Sequence, residues 1–153
     1  MIANRLASYY KNDRTIIVLS DRINQLKTLS KISIAMGVSE EDIGFLIGST
    51  PKAVRPDVLR KRIIMCTYGM ANEGLDKKTL DCLIMATPKG NCTQAIGRVQ
   101  RPMEGKKVPL VLDIVDSHSI FLKLRWKRFN FYCKNNYSCQ TFSSDNHDAD
   151  WFT

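Results

Sequence analysis

Two arginines and a glutamine in the second half of the chain form the pattern Q-x-x-G-R-x-x-R, which runs from Gln94 through Arg98 to Arg101. Residues four and three positions apart lie on one face of a helix, so the pattern predicts a polar face with two guanidinium groups. Guanidinium groups are permanently charged, bidentate donors that can stabilise a phosphoryl group during transfer. Taken alone, the pattern also fits an ordinary solvated helix face.

A second polar segment, T-x-x-x-x-x-E-G-L-D, extends from Thr67 to Asp76 and directly follows an apolar run. Gly74 stands where backbone can approach a ligand closely, and the carboxylate of Asp76 stands where it can hold a ribose hydroxyl. A strand, a tight turn and a capping aspartate explain each residue separately. That simpler interpretation does not explain why a second apolar run and then the arginine pattern follow.

Five short apolar runs set the framework in which these segments lie. Their positions are 15–20, 43–47, 62–66, 82–86 and 108–115. Continuous apolar runs of this length are typical of strands buried on both faces, and such strands belong to a parallel sheet covered by helices. We therefore expect an α/β fold, although buried turns of helix can give the same pattern.

Helical spacing of apolar residues over 23–32 predicts a helix after the first run, with Ser20 and Asp21 as candidate N-caps. Turn-forming residues at 48–56 and 87–91 follow the carboxyl ends of two predicted strands. Ligands in open α/β sheets bind at that edge, so both loops are candidates for a binding site.

The order strand, E-G-L-D, strand, Q-x-x-G-R-x-x-R resembles motifs V and VI of superfamily 2 helicases, and TIIVLSDR at 15–22 is similar to their motif IV. The form TYGMANEGLD is closer to phage recombination helicases and to the transcript-release helicases of large cytoplasmic DNA viruses than to DEAD-box proteins. LDIVDSHSIF and KRFNFY, farther along, also resemble that group. The resemblance implies a RecA-like three-layer α/β/α domain with a mainly parallel sheet over 15–137.

The resemblance also implies a role for each residue of the two motifs. Arg101 would be the arginine finger on the γ-phosphate of ATP, and Arg98 a second phosphate or coupling arginine. Gln94 would link the nucleotide to a cleft between two domains. Gly74 and Asp76 would approach the phosphates and the ribose from this side.

A nucleic-acid backbone is the second ligand that the resemblance implies. Thr67 would donate to a phosphate, with Arg22, Gly48 and Ser49 on the same track, and such contacts hold a strand without reading its sequence. The chain has 23 Lys and Arg against 15 Asp and Glu, a net charge of +8, which favours an anionic partner. We expect single-stranded or duplex nucleic acid, with DNA favoured.

The chain contains no G-x-x-x-x-G-K-[ST] loop and no D-E-x-x box. ATP and Mg²⁺ are therefore expected to be held mainly by an N-terminal RecA-like domain of a longer parent chain. The prediction is an ATP-dependent helicase or translocase whose isolated fragment is inactive. The alternative is a stand-alone basic nucleic-acid-binding module. A phosphate-binding loop in the upstream reading frame would favour the helicase, and a true initiator at Met1 would favour the module.

Residues 1–14 are expected to be an incoming helix or linker, and 138–153 a polar tail. A helix is predicted over 120–134, capped by Ser117 or Ser119, with five basic residues, no acidic residue and several aromatic residues. This helix is either a nucleic-acid surface with stacking rings or a closing helix with aromatic rings in the core. We favour the second interpretation for the rings and leave the basic residues open.

The five cysteines form no C-x-x-C pair, so we expect reduced thiols and no metal site. No apolar stretch reaches the length of a membrane helix, and the first residues lack the apolar middle of a secretory signal. We expect a soluble intracellular protein with no membrane partner. If the protein is viral, the expected location is the virus factory of the host cytoplasm or the virion.

Overall fold

The computed structural model describes residues 1–73, 75–115 and 119–142. The strands are β1 (Ile16–Leu19), β2 (Ile43–Leu46), β3 (Ile63–Cys66), β4 (Cys82–Met85) and β5 (Leu110–Asp113). They form one sheet in the order β2-β3-β1-β4-β5, and every neighbouring pair is parallel. The α/β class and all five predicted strands are confirmed, with ends that differ by one or two residues.

Helices cover both faces of the sheet. They are α1 (Ile2–Lys11), α2 (Ile23–Ala35), α3 (Arg55–Arg60), α4 (Tyr68–Asn72), α5 (Thr93–Val99) and α6 (Ser119–Lys134), with a 3₁₀ turn at Glu40–Asp42. Residues of α1 and α2 contribute to the core on one face, whereas α3, α4, α5 and α6 contribute to the core on the other. The result is the three-layer α/β/α arrangement that the family resemblance implies.

The central strand shows why the apolar runs are continuous. Ile17 and Leu19 of β1 enter one core, and Ile16 and Val18 enter the opposite core. All four side chains are buried. Successive side chains of a strand point to opposite faces of the sheet. A strand covered by helices on both faces therefore has no solvent-facing positions at which polar residues would alternate with apolar ones.

The first helix is part of this packing. Ala3, Leu6 and Ala7 of α1 are buried in the core that α2 also covers. The segment expected as an incoming helix or linker therefore contributes apolar surface to the domain. No helix within the described ranges is both long and apolar enough to cross a membrane.

The start of α2 differs from the prediction. Arg22, and not Ser20 or Asp21, is the N-cap residue of α2. The Ser20 hydroxyl accepts a hydrogen bond from the backbone N–H of Arg22 at 2.9 Å and donates to Oε1 of Gln25 at 2.6 Å. Ser20 thus stabilises the turn between β1 and α2 from a position two residues before the N-cap.

Candidate functional site

Helix α5 brings the arginine pattern onto the segment that follows α4. Arg98 donates a hydrogen bond from Nη1 to the carbonyl oxygen of Leu75. Arg101 donates from Nη1 to Oδ1 of Asp76 at 2.6 Å. Two motifs that are separate along the chain therefore meet in space, and both guanidinium groups contact one short segment, Leu75 and Asp76.

Arg101 contacts Asp76 from a position outside helix α5. Helix α5 ends at Val99, and Gln100 is its C-cap. The prediction that Gln94, Arg98 and Arg101 share one helix face is therefore wrong for Arg101, although Gln94 and Arg98 do lie one turn apart in α5. The reason is Pro102, because the residue before a proline is disfavoured in the helical conformation.

Solvent can reach the pair that Arg101 forms with Asp76. The Arg101 side chain is 42% exposed and that of Asp76 is 74% exposed. An exposed ion pair contributes about 0–1 kcal/mol, so a ligand phosphate can replace the carboxylate as the partner of Arg101 at little cost. Gly74, the other predicted nucleotide contact, lies outside the described residues.

The four predicted nucleic-acid contacts lie in a row at the carboxyl edge of the sheet. Gly48 and Ser49 follow β2, Thr67 follows β3, and Arg22 lies three residues after the end of β1, in the turn that leads to α2. These strands are neighbours and run parallel, so their ends lie about 4.8 Å apart along one edge. Thr67 is partly exposed and the other three residues are exposed.

The loop after β4 connects this row to α4. The hydroxyl of Tyr68 donates to the carbonyl oxygen of Thr87 at 2.8 Å, and the Thr87 hydroxyl accepts from the backbone N–H of Asp21 at 3.1 Å. Lys89 forms an ion pair with Asp21 at 3.2 Å, and its ammonium lies 5.0 Å from the centre of the Tyr68 ring. The turn after β1, the loop after β4 and α4 thus form one connected structure.

The sequence did not reveal the structural role of Arg128. Its side chain is only 1% exposed, with Nε donating to Oδ2 of Asp113 at 2.7 Å and Nη1 donating to the carbonyl oxygen of Lys89 at 2.7 Å. Tyr132 donates to the same Oδ2 atom at 3.0 Å, and burial, followed by the charge of Asp113, raises the pKa of Tyr132. The sequence left the basic residues of this helix open between nucleic-acid contact and solvation, and neither applies to the buried Arg128.

The aromatic residues of α6 whose side chains the structure describes divide into two groups, and Phe121 lies outside that part. Phe131 and Tyr132 pack against the core, as predicted. Trp126 is 62% exposed and Phe129 is 39% exposed, so the prediction of core rings is wrong for these two. Trp126 and Phe129 lie three residues apart, on the face of the helix opposite to the buried Arg128.

The cysteines match the expectation of free thiols. Cys66, Cys82 and Cys92 are buried, and Cys133 and Cys139 are exposed. Burial raises the pKa of both Cys66 and Cys82 to about 12, so these thiols are protonated at neutral pH. In the part of the chain that the structure describes, no group of three His, Cys, Asp or Glu side chains is arranged to hold a metal ion.

Comparison with known proteins shows similarity to helicases of viruses and phages. The chain is 32% identical over 130 residues to a predicted ATP-dependent RNA helicase, L396, of Acanthamoeba polyphaga mimivirus, over 84% of this chain and 25% of that protein. It is 30% identical over 113 residues to a predicted ATP-dependent RNA helicase, QP509L, of African swine fever virus, over 72% of this chain and 22% of that protein. The chain therefore spans about a quarter of the length of these relatives.

A phage protein and a solved structure extend the similarity. A protein of Escherichia phage T5 named probable helicase D10 is 26% identical over 94% of this chain and 33% of its own length. The crystal structure of the C-terminal part of the Fun30 ATPase domain superposes with a TM-score of 0.66 at 13% identity, over 96% of this chain and 46% of that one. No protein-family model matches the chain. The chain is therefore a homologue of one part of the viral ATP-dependent helicases, as expected of a C-terminal helicase domain, and its fold is RecA-like α/β.

Proposed function

We propose that the chain is the second motor domain of an ATP-dependent superfamily 2 helicase or translocase. In this proposal Arg98 and Arg101 reach the phosphates of ATP bound on an N-terminal RecA-like domain, with Arg101 as the arginine finger. The observation that supports it best is that both guanidinium groups meet at Leu75 and Asp76. The motor domain is proposed to extend over 15–137, with α1 packed against it and a tail at 138–153.

The chemistry of these side chains suits a nucleotide. Two guanidinium groups complement the charge of a triphosphate, and the carboxylate of Asp76 can accept from a ribose hydroxyl once Arg101 has moved to phosphate. Gln94 lies one turn before Arg98 in α5 and would link the nucleotide to the cleft between the domains. Mg²⁺ and the cradle of the phosphates are assigned to the N-terminal domain, since this chain has no phosphate-binding loop.

The row at the carboxyl edge is proposed to hold nucleic-acid phosphates, with Thr67 at its centre and Arg22, Gly48 and Ser49 beside it. Helix α4 supports a coupling between the two sites because Thr67 is its N-cap and its C-terminal end leads to Asp76. The five-residue helix α4 can therefore transmit a change at the nucleotide to the contacts that hold the nucleic-acid strand. Closure of the two domains and its reversal on hydrolysis would move the strand.

The substrate class is nucleic acid, with DNA favoured. Two of the relatives are named as RNA helicases, so RNA belongs among the substrates to be tested. Because the relatives are viral, the proposed location is the cytoplasm of an infected cell or the virion.

Nucleic-acid-stimulated ATP hydrolysis tests this function directly. The protein is expressed from its complete natural reading frame, and its ATPase rate is measured with single-stranded DNA, duplex DNA, RNA and an RNA–DNA hybrid. The proposal predicts that at least one of these stimulates hydrolysis, and the strongest stimulator identifies the substrate. A protein without ATPase activity on all four would instead be a nucleic-acid-binding module.

A further inference from the structure

One face of α6 exposes a stripe of large apolar side chains. Leu122 is 37% exposed, Trp126 is 62% exposed and Phe129 is 39% exposed. The three residues are spaced by four and three positions, so they lie in one line along the helix. The rings of Trp126 and Phe129 meet edge to face with their centres 6.0 Å apart.

A row of lysines runs beside this stripe. Lys123, Lys127 and Lys134 are exposed and, at about 100° per residue, lie on the same side of Trp126. None of them forms an ion pair within the residues that the structure describes, and α6 contains no acidic residue. Among the described residues, nothing neutralises the positive charge that this row presents.

Packing within the domain does not account for either feature. The opposite face of α6 supplies the residues that anchor the helix, with Arg128 in its buried ion pair and Phe131 and Tyr132 against the core. Trp126 and Phe129 are absent from both core clusters. Exposed aromatic side chains beside cations mark a binding surface, and the charge of that surface calls for an anionic ligand with flat apolar groups.

The position of α6 links this surface to the proposed nucleic-acid row. Arg128 binds the carbonyl oxygen of Lys89, and a Cβ atom placed on Gly90 would lie 3.2 Å from Cδ2 of Leu124. The helix therefore rests on the loop that leaves the carboxyl end of β4. Because β4 is the neighbour of β1, that loop stands next to the turn that carries Arg22.

We propose that the exposed face of α6 is a binding site for single-stranded nucleic acid, in which Trp126 and Phe129 stack on bases while Lys123, Lys127 and Lys134 contact phosphates. Base stacking on aromatic side chains tolerates any sequence, as a translocating protein requires. The site deepens the proposed function, since it adds a second contact region for the same class of ligand. It does not depend on ATP, so it can be tested separately from the motor.

Tryptophan fluorescence gives a direct test. The chain has two tryptophans, so in a Trp151→Phe variant of the full chain Trp126 is the sole fluorophore of that kind. A single-stranded oligothymidylate should quench Trp126 in parallel with the anisotropy change of a labelled oligonucleotide. Heparin, an anionic polymer without bases, should bind but leave the emission largely unquenched.

Matched variants separate stacking from charge. Trp126→Ala together with Phe129→Ala should weaken oligonucleotide affinity about tenfold or more, given the size of stacking contributions. The pair Lys123→Gln and Lys127→Gln should lower the slope of log affinity against log salt by about 1.4, at about 0.7 for each phosphate contact on a single strand. The control pair removes the same charge from the exposed lysines of α2, Lys27→Gln and Lys31→Gln, and should change affinity less than about twofold.

Three results would overturn the proposal: no oligonucleotide binding by the chain, binding without quenching of Trp126, or wild-type affinity in the aromatic variant. The last two would indicate that another protein domain covers this face. They would leave the proposed function intact, since that rests on the ATPase measurement and on residues outside α6. Cooperative urea unfolding of every variant checks that the substitutions preserve the fold.

Discussion

Arg101 donates a hydrogen bond to the carboxylate of Asp76 across 2.6 Å, joining the end of the arginine motif to the end of the E-G-L-D motif. Its neighbour Arg98 is held by the carbonyl oxygen of Leu75, a partner with no net charge. The two arginines therefore differ in what a triphosphate would displace. Arg101 would exchange one anion for another, whereas Arg98 would gain a charged partner.

Removal of the Arg101–Asp76 pair should hardly affect stability. Both side chains are well exposed, and such pairs contribute about 0–1 kcal/mol. Arg101→Ala and Asp76→Ala should each lower the free energy of unfolding by less than about 1 kcal/mol, as measured by urea denaturation. A loss of several kcal/mol in either variant would show that the pair is a structural element and would weaken its assignment to ligand binding.

The buried pair of Arg128 with Asp113 should behave in the opposite way. Arg128→Met leaves the largely buried carboxylate of Asp113 without its charged partner, which typically costs about 3–5 kcal/mol. Equilibrium urea unfolding should show that loss, whereas Lys127→Met, at the exposed neighbouring position, should change stability by less than about 0.5 kcal/mol.

A double variant separates the uncompensated charge from lost packing. Arg128→Met combined with Asp113→Val removes both charges, so it should recover part of the stability that Arg128→Met loses. If the stability loss of the double variant instead equals the sum of the losses of Arg128→Met and Asp113→Val, the contacts of Arg128 with the loop after β4 dominate. In that case the ion pair is not the main source of stability.

The exposed cysteines should react faster than the buried ones. At pH 8 a thiol reagent should modify Cys133 and Cys139 rapidly and leave Cys66, Cys82 and Cys92 intact, because the thiolate is the reactive form and the buried thiols resist ionisation. Mass spectrometry of peptides after timed labelling measures this. Rapid modification of Cys66 in the folded chain would contradict the packing of β3.

Two of these thiols should make the free energy of unfolding decrease at high pH. The pKa values of Cys66 and Cys82 rise from 9.0 in the unfolded chain to about 12 in the folded one, chiefly through burial. Their contribution to stability is therefore complete below pH 9 and is lost as the pH rises from 9 to 12. Urea unfolding at pH 8 and pH 10.5 should show this decrease, and replacement of both cysteines by alanine should make it smaller.

The sheet could be predicted from the sequence because its strands are covered on both faces. Residues such as Ile17 and Ile16 enter different cores, so no polar residue interrupts the run. The meeting of the two motifs was also predictable in outline. Both follow predicted strands, and β3 and β4 flank β1 in the sheet.

Other features depend on tertiary contacts that no local pattern reveals. Arg128 looks like its neighbour Lys127 in the sequence, and its burial depends on Asp113 and the carbonyl oxygen of Lys89, which accept from its Nε and Nη1. Helix α4 has five residues and contains a glycine, so its periodicity is too short to detect. The position of Arg101 outside α5, in contrast, could have been inferred from Pro102.

Hydrolysis of ATP by an Arg101→Ala variant of the complete protein is the most direct test of the central claim. Arginine fingers contribute about a thousandfold or more to turnover, so we predict a loss of that order with oligonucleotide affinity unchanged. Arg60→Ala is the matched control, since Arg60 also forms an exposed pair with a nearby carboxylate, that of Asp57, and should retain full activity. Near-normal turnover in the Arg101→Ala variant would contradict the account.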